Sequence, residues 1–508
     1  MRRNSLMFLI SVAALALSVA TWSGCAAPTT TNTNNSKTSD ATASAAKDKL
    51  PVTTSSEEAR KEFLQGRDMA ERLLATDSLQ HFDKAIALDP NFASAELARA
   101  NASPTAKEFF DHLKKAVTLS GKASEGEKLQ ILANEAGANG EVAKQKEYLD
   151  KLVAAYPNDE RAQFQLGGYY FGQQDYSQAI EHYKKATELN SSYSPVYNIL
   201  GYAYRQNNDF ANAEQAFKKY IELIPNDPNP YDSYAELLLK MGKYEDAITQ
   251  YRKALSIDPH FVNSHFAIAA ALSYLGKPDE ATAELQKITD GARNDGDRRT
   301  ALFGQAVVDA DSGKLDKAVA DMDKEYAVAE KINDVANMTA DLQNKGTILL
   351  EMGKYDEAKD AFDRVLKMTQ DSTLSQEIKD NTKLFDHYNK TTVALGKKDI
   401  AAAKSEAEEF RKGVEAKNNP AQMRLSHELA GMIALAEKDY DKAIAELQQA
   451  NMQNPQDLYR LCQAYQGKGD NAKAKEWCKK AAEFNSLPAL NYAFIRTKAQ
   501  KMAADAKA

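Results

Sequence analysis

The sequence predicts an all-α chain built as a solenoid of stacked helical hairpins. Small residues recur every 34 positions, at Gly167, Gly201, Ala235 and Ala269, and each is followed twelve positions later by another, Ala179, Ala213, Ala247 and Ala281. Around them apolar residues fall at helical spacing, as in Tyr197, Leu200, Gly201 and Tyr204. The 508 residues include only 14 prolines and 23 glycines, too few for a chain of disorder or tight β-turns, while 43% are hydrophobic, enough to bury a core. A net charge of −7 leaves no general nucleic-acid footprint, and three cysteines exclude a disulfide-dense scaffold or a multi-cysteine zinc domain.

The chain opens on Met1-Arg2-Arg3, and Leu6 to Ala20 is an uncharged apolar run of 15 residues. That run is short for a membrane span of about 20 residues and suits the core of a secretory signal. Ser23-Gly24-Cys25 follows and resembles a bacterial lipobox, with Trp22 where that pattern usually has Leu or a smaller residue. The resemblance implies a signal peptide over 1–24, cleavage before Cys25 and lipidation of its thiol; ordinary signal cleavage after Ala20 is the alternative. Ala26, where inner-membrane lipoproteins often carry Asp, implies the outer membrane, facing the periplasm. Residues 25–56, rich in Thr, Ser, Asn and Ala, read as a disordered tether that would reach roughly 30 Å.

From residue 57 the repeats begin. The clearest copies lie at 165–190, 197–226 and 231–259, and register-matched units start at 126, 160, 194, 228 and 262. A 34-residue period with paired small positions and a closing proline, as at Pro157, Pro225 and Pro259, resembles the tetratricopeptide repeat over residues 59–486. The resemblance implies a right-handed α-solenoid superhelix, counted here as 12 hairpins. The physics agrees: helices of about 12–14 residues are marginal alone, so neighbours must stack to bury their faces. Gly242, Gly276, Gly313 and Gly353 sit between helices, where a left-handed cap needs no Cβ. Asp258-Pro259 and Asn454-Pro455 read as ends of second helices. The regular array spans 57–296. GARNDGDRR (291–299) reads as a hinge, and a longer, less regular array spans 297–487, its small positions 40, 45, 40 and 31 residues apart. Residues 488–508 read as a C-terminal capping helix.

With Cys25 lipidated, Cys462 and Cys478 remain, one on each helix of the last hairpin. They read as a disulfide or as two buried thiols. No catalytic, metal or cofactor constellation is legible. The seven histidines form no metal-spaced pair, and Gly431 replaces the second histidine that His427-Glu428 would need for a zinc-protease motif. Asp309-Ala-Asp311-Ser-Gly313 reads as an inter-helix turn rather than a calcium loop.

What remains is surface. In tetratricopeptide proteins the first helix of each repeat lines a concave groove that holds an extended peptide or a partner helix. Its positions here are Arg161, Phe164, Phe171, Asn198, Tyr202, Arg205, Gln206, Asp232, Glu236, Leu239, Lys240, Phe266 and Tyr274. Aromatic and arginine residues suit an interface, although the aromatics could equally pack between repeats. The expected protein is a non-enzymatic, membrane-anchored envelope scaffold or adaptor that binds protein partners, without cofactor or nucleic acid. The alternatives are a carbohydrate-binding or polysaccharide-export scaffold, and a secreted soluble repeat protein. With Trp477 the one tryptophan beyond the signal, direct sugar binding is disfavoured.

Overall fold

The computed structural model describes residues 49–505 apart from 73 and 418, so the signal peptide and Cys25 lie outside the described residues. Twelve helix pairs follow one another through the described residues. They are α1/α2 (Glu57–Glu71, Ala75–Leu88), α3/α4 (Ala93–Ala102, Ala106–Leu119), α5/α6 (Glu125–Asn139, Val142–Ala155), α7/α8 (Glu160–Gly172, Tyr176–Leu189), α9/α10 (Ser194–Gln206, Phe210–Leu223) and α11/α12 (Asn229–Lys240, Tyr244–Ile257). Then come α13/α14 (Val262–Tyr274, Pro278–Asp290), α15/α16 (Asp295–Asp311, Leu315–Lys331), α17/α18 (Val335–Glu351, Tyr355–Asp371), α19/α20 (Gln376–Gly396, Ile400–Lys417), α21/α22 (Pro420–Glu437, Tyr440–Leu447) and α23/α24 (Pro455–Lys468, Asn471–Ala482). Two short helices, α25 (Leu490–Ala493) and α26 (Arg496–Asp505), close the chain. From α15 to α18 each helix has 17 residues, against 14 for α8, α10 and α12, which is the lengthening read from the period.

The chain forms two compact units. The first holds the described residues up to Leu237 together with Thr249–Ser264, and the second holds Leu238–Ile248 and His265 onward. The division thus falls within the regular repeats and ahead of 296. The segment read as a hinge is largely structured. Asp295 opens α15, capped by Asn294, and the buried Arg299 makes two hydrogen bonds of 2.6 and 2.7 Å to Asp341.

One contact explains the small positions. A Cβ added at Gly201 would lie 2.7 Å from the Phe217 ring; at Gly167 it would meet Tyr183, at Gly66 Phe82, and at Gly346 Phe362. Each ring stands sixteen residues after its glycine, so the first helix rests directly on the ring of the second. Cys462 and Cys478 occupy the same pair of positions in the last hairpin. They are disulfide-bonded, with Cα atoms 5.0 Å apart. In that hairpin a covalent bond takes the place of the glycine–ring contact.

The inter-helix turns have two solutions. Gly242, Gly276, Gly313 and Gly353 take φ of 74–75°, the left-handed region. Elsewhere a larger residue takes that conformation and an aspartate follows to cap the next helix: Gln174-Asp175, Asn208-Asp209, Asn333-Asp334 and Lys438-Asp439. Such a cap contributes about 1 kcal/mol, enough to offset a strained residue. Asn454-Pro455 does not end a helix. Asn454 caps α23 and Pro455 is its first residue, where the missing N–H costs nothing. Ser103-Pro104, in the second hairpin, lies in the turn between α3 and α4.

Five of the seven histidines follow a rule. His81 meets Glu62, His182 meets Gln163, His265 meets Glu284, His387 meets Glu406 and His427 meets Glu446, all nineteen residues apart. Each pair ties the two helices of one hairpin together.

Candidate functional site

In the first unit the groove positions reach from one first helix to the next. Asn198 donates to Asn229 (3.2 Å), the Tyr202 hydroxyl to Ser233 (3.3 Å) and Arg205 to Glu236 (3.2 Å), each across 31 residues. One repeat further on, Ser264 donates to Asp232 at 2.7 Å. Burial, then the nearby Glu236 charge, pushes the Asp232 carboxyl well above its ordinary range. Arg205 also stacks over the Tyr202 ring, and Tyr202 meets Phe217 edge-on. Asn198, Asp232 and Glu236 are buried, so these positions form a polar ladder that joins repeats. The second unit continues the device with Gln343 and Asn389, whose side-chain amides exchange two hydrogen bonds. There Tyr388 donates to Glu428, which also accepts from Arg460.

The remaining positions divide by burial. Phe266 and Leu239 are core residues, 1% exposed, and Phe266 stacks on Phe303. Phe164 packs on Tyr183 and Tyr193, and Phe171 on Tyr176. Arg161 makes two hydrogen bonds to Glu71 and lies over Tyr193, while Gln206 is half-buried. The tyrosines and arginines selected for their interface chemistry are thus largely packed between repeats. In the second unit, Lys240 and Tyr274 are engaged by the chain's own C-terminal segment. The Lys240 ammonium donates to the Phe484 carbonyl (2.6 Å) and the Tyr274 hydroxyl to the Ser486 carbonyl (2.7 Å). The C-terminal stretch read as a cap therefore does two things: α26 packs on α24, and the residues before it cross α13 and α15.

A second feature replaces the last part of the tether. Residues 49–56 form an extended strap across the starts of three first helices. Leu50 N–H donates to Asp159 (2.9 Å), the N-cap of α7, and Thr53 N–H to Glu127 (2.9 Å) in the first turn of α5. Ser55 N–H donates to Asp89 (3.0 Å), just ahead of α3, and the Thr54 hydroxyl reaches the same carboxylate at 2.6 Å. Lys49 pairs with Glu160 and with the Asn158 carbonyl. The Leu50 side chain and the Tyr156 ring together fill the space where Gly126 has no Cβ. Hydrogen bonding from Thr54 holds the Asp89 carboxyl below its ordinary range, although burial opposes it. Burial pushes Glu127 up, but bonds from Thr53, Ser124 and Ser94 outweigh it and the net shift is down. Composition gave no sign of this strap, because three of its bonds use backbone N–H groups, which almost any residue offers.

Among the described residues no cluster of His, Cys, Asp and Glu could hold a metal ion, and no helix is long and apolar enough to cross a membrane. The Asp309–Gly313 stretch forms the turn between α15 and α16, with Gly313 at φ +75°.

Family models for tetratricopeptide repeats match residues 132–195, 170–228, 235–276, 342–372 and 458–486. None of these models describes a catalytic domain. No curated protein matches the chain. Among solved structures, MamA is 25% identical over 32% of this chain and 89% of its own, with a TM-score of 0.27. PilW, described as a type IV pilus biogenesis factor, is 16% identical over 43% of this chain and 92% of its own, with a TM-score of 0.32. A tetratricopeptide repeat protein from Parabacteroides merdae is 16% identical over 51% of this chain and all of its own, with a TM-score of 0.35. The matched repeats lie in both compact units and include four of the five hairpins whose sixteen-residue contacts are described above: over these segments the chain carries tetratricopeptide repeats.

Proposed function

We propose that the protein is a lipid-anchored scaffold of the bacterial cell envelope, facing the periplasm from the outer membrane, that binds protein partners without catalysing a reaction. The observation that carries this reading is the order of parts: an apolar run of signal length, a lipobox-like Ser23-Gly24-Cys25, then tetratricopeptide repeats to near the end of the chain. Acyl chains on the Cys25 thiol and its new amine would hold the protein to a surface without a span. The Cys462–Cys478 disulfide fits an oxidising compartment. The test is membrane fractionation of wild type and Cys25→Ser after fatty-acid labelling. Wild type should carry label and sediment with membranes, and Cys25→Ser should do neither. An unlabelled, soluble wild type would overturn the anchor.

A further inference from the structure

The second unit already holds a peptide. Residues 483–489 have no regular secondary structure and cross the ends of α11 and α13. Four hairpin positions grip them and the residues that follow. Lys240 takes the Phe484 carbonyl, and its ammonium lies 3.8 Å from the centre of the Phe484 ring. Tyr244 donates 2.7 Å to the side-chain oxygen of Asn485, a buried residue in the left-handed conformation at φ 48°. Tyr274 takes the Ser486 carbonyl. Asp311 holds Arg496 through two hydrogen bonds of 2.7 and 2.6 Å, and Ser273 steadies that carboxylate at 2.7 Å. Two of these grips fall on main-chain carbonyls, which any extended peptide offers. The other two read an asparagine and a cation. Lys240 and Tyr274 are also groove positions of the repeat. This is how a groove holds a ligand, and it differs from the apolar small-on-ring contact that joins the helices of each hairpin.

We infer that the surface formed by Lys240, Tyr244, Tyr274 and Asp311 is a peptide-binding site closed by the chain's own residues 484–489 and by Arg496, which stand on either side of the buried α25. Its exchange partner is an irregular protein segment of the same chemistry: an aromatic residue followed by asparagine, with a cation further on to meet Asp311. The inference rests on the protein-binding reading and names its site. The Cys25→Ser fractionation is indifferent to it, so the two fail separately.

The probe is a fluorescent synthetic peptide of residues 483–497, added to the full chain. Wild type should bind it weakly, because the resident segment competes. The Asn485→Ala/Arg496→Ala chain, which loosens the resident segment, should bind at least tenfold more tightly. Adding Asp311→Asn and Lys240→Ala should remove that gain. Equal binding by wild type and the loosened chain, or a gain that survives the groove substitutions, overturns the inference. Hydrogen exchange on unaltered wild type gives a second reading that needs no variant. Amides 484–489 should exchange at least tenfold faster than those of α15 and α24. Exchange in step with those helices would make the segment part of the core and refute its release.

Discussion

Gly201→Ala tests the contact from which the repeat is built. In an ordinary helix interior this change stabilises by about 1 kcal/mol, because alanine loses less backbone entropy than glycine. Here the new Cβ would stand 2.7, 2.7 and 2.9 Å from three carbons of the Phe217 ring, against an ordinary closest contact of 3.4 Å. The ring would have to retreat by the difference, yet Phe217 is fully buried and Tyr202 already packs on it. Overpacking of that kind costs about 1–3 kcal/mol. The expected net effect is a loss of about 1 kcal/mol, which is a change of sign from the propensity. Long repeat arrays depart from two-state unfolding, so the assay is hydrogen exchange of α9 and α10 rather than a single melting temperature. Phe217→Leu serves as the second arm. It makes room, so in its presence Gly201→Ala should become neutral or stabilising, with a coupling of about 1 kcal/mol or more. Additive single and double substitutions would refute the small-on-ring argument.

Cys478→Ala should weaken the last hairpin by roughly 3 kcal/mol, the loop-closure value for a separation of 16 residues, seen as faster exchange in α23 and α24; identical exchange with and without reductant would show that the bond braces nothing. Asp457 is fully buried, and burial followed by the Glu428 charge pushes its carboxyl up to about 8, against the pull of Arg460. A carboxyl raised in the folded state holds a proton that the unfolded chain has lost, so the stability of this hairpin should fall as pH rises from about 4 to about 8, with a slope approaching 1.4 kcal/mol per unit. Asp457→Asn should flatten that profile, and an unchanged profile would place the titration elsewhere. Asp89 and Glu127 carry the opposite sign: their depressed carboxyls support the strap at neutral pH and lose it only as pH falls below about 4. Proteolysis within 49–56 should therefore be slow at pH 7 and pH 5 in wild type and faster at both in Asp89→Ala.

The hairpins were legible because their defining contact is local and repeats. A small residue and a bulky one sixteen residues apart leave a mark in most copies, and the cysteine pair sits on that same mark. The turns were half legible. Glycine announces a left-handed residue, whereas Asn208 and Lys438 take that conformation with an aspartate cap as the only sequence sign. The histidine pairs left a signal, a fixed spacing of nineteen to a glutamate or glutamine, visible only when histidines are read against carboxylates rather than against one another. The groove positions stayed ambiguous in the sequence because position within a repeat does not tell a side chain that faces a ligand from one that faces the next repeat. Asn198, Tyr202 and Arg205 have the composition of an interface and spend it on their neighbours. The C-terminal stretch was legible as a cap, but its crossing of α11, α13 and α15 was not, since those contacts span 185 to 245 residues and belong to no period.

The strap changes where the proposed anchor would load the array. A tether ending at residue 56 would pull on α1, the first helix. With residues 49–56 fastened, the pull arrives at Lys49 and Leu50, on Glu160 and Asp159 at the start of α7. Twenty-three residues then separate Cys25 from Lys49. A flexible chain of that length reaches about 26 Å, little less than the longer tether, because reach grows only as the square root of length. Releasing the strap's few hydrogen bonds between backbone N–H groups and carboxylates would therefore raise that reach only to about 30 Å, but would move the load from the start of α7 to the start of α1, while leaving every hairpin folded. Those bonds lie at the starts of α3, α5 and α7, outside the small-on-ring contacts that hold the repeats together, so the strap can open at a cost set by its own clasps.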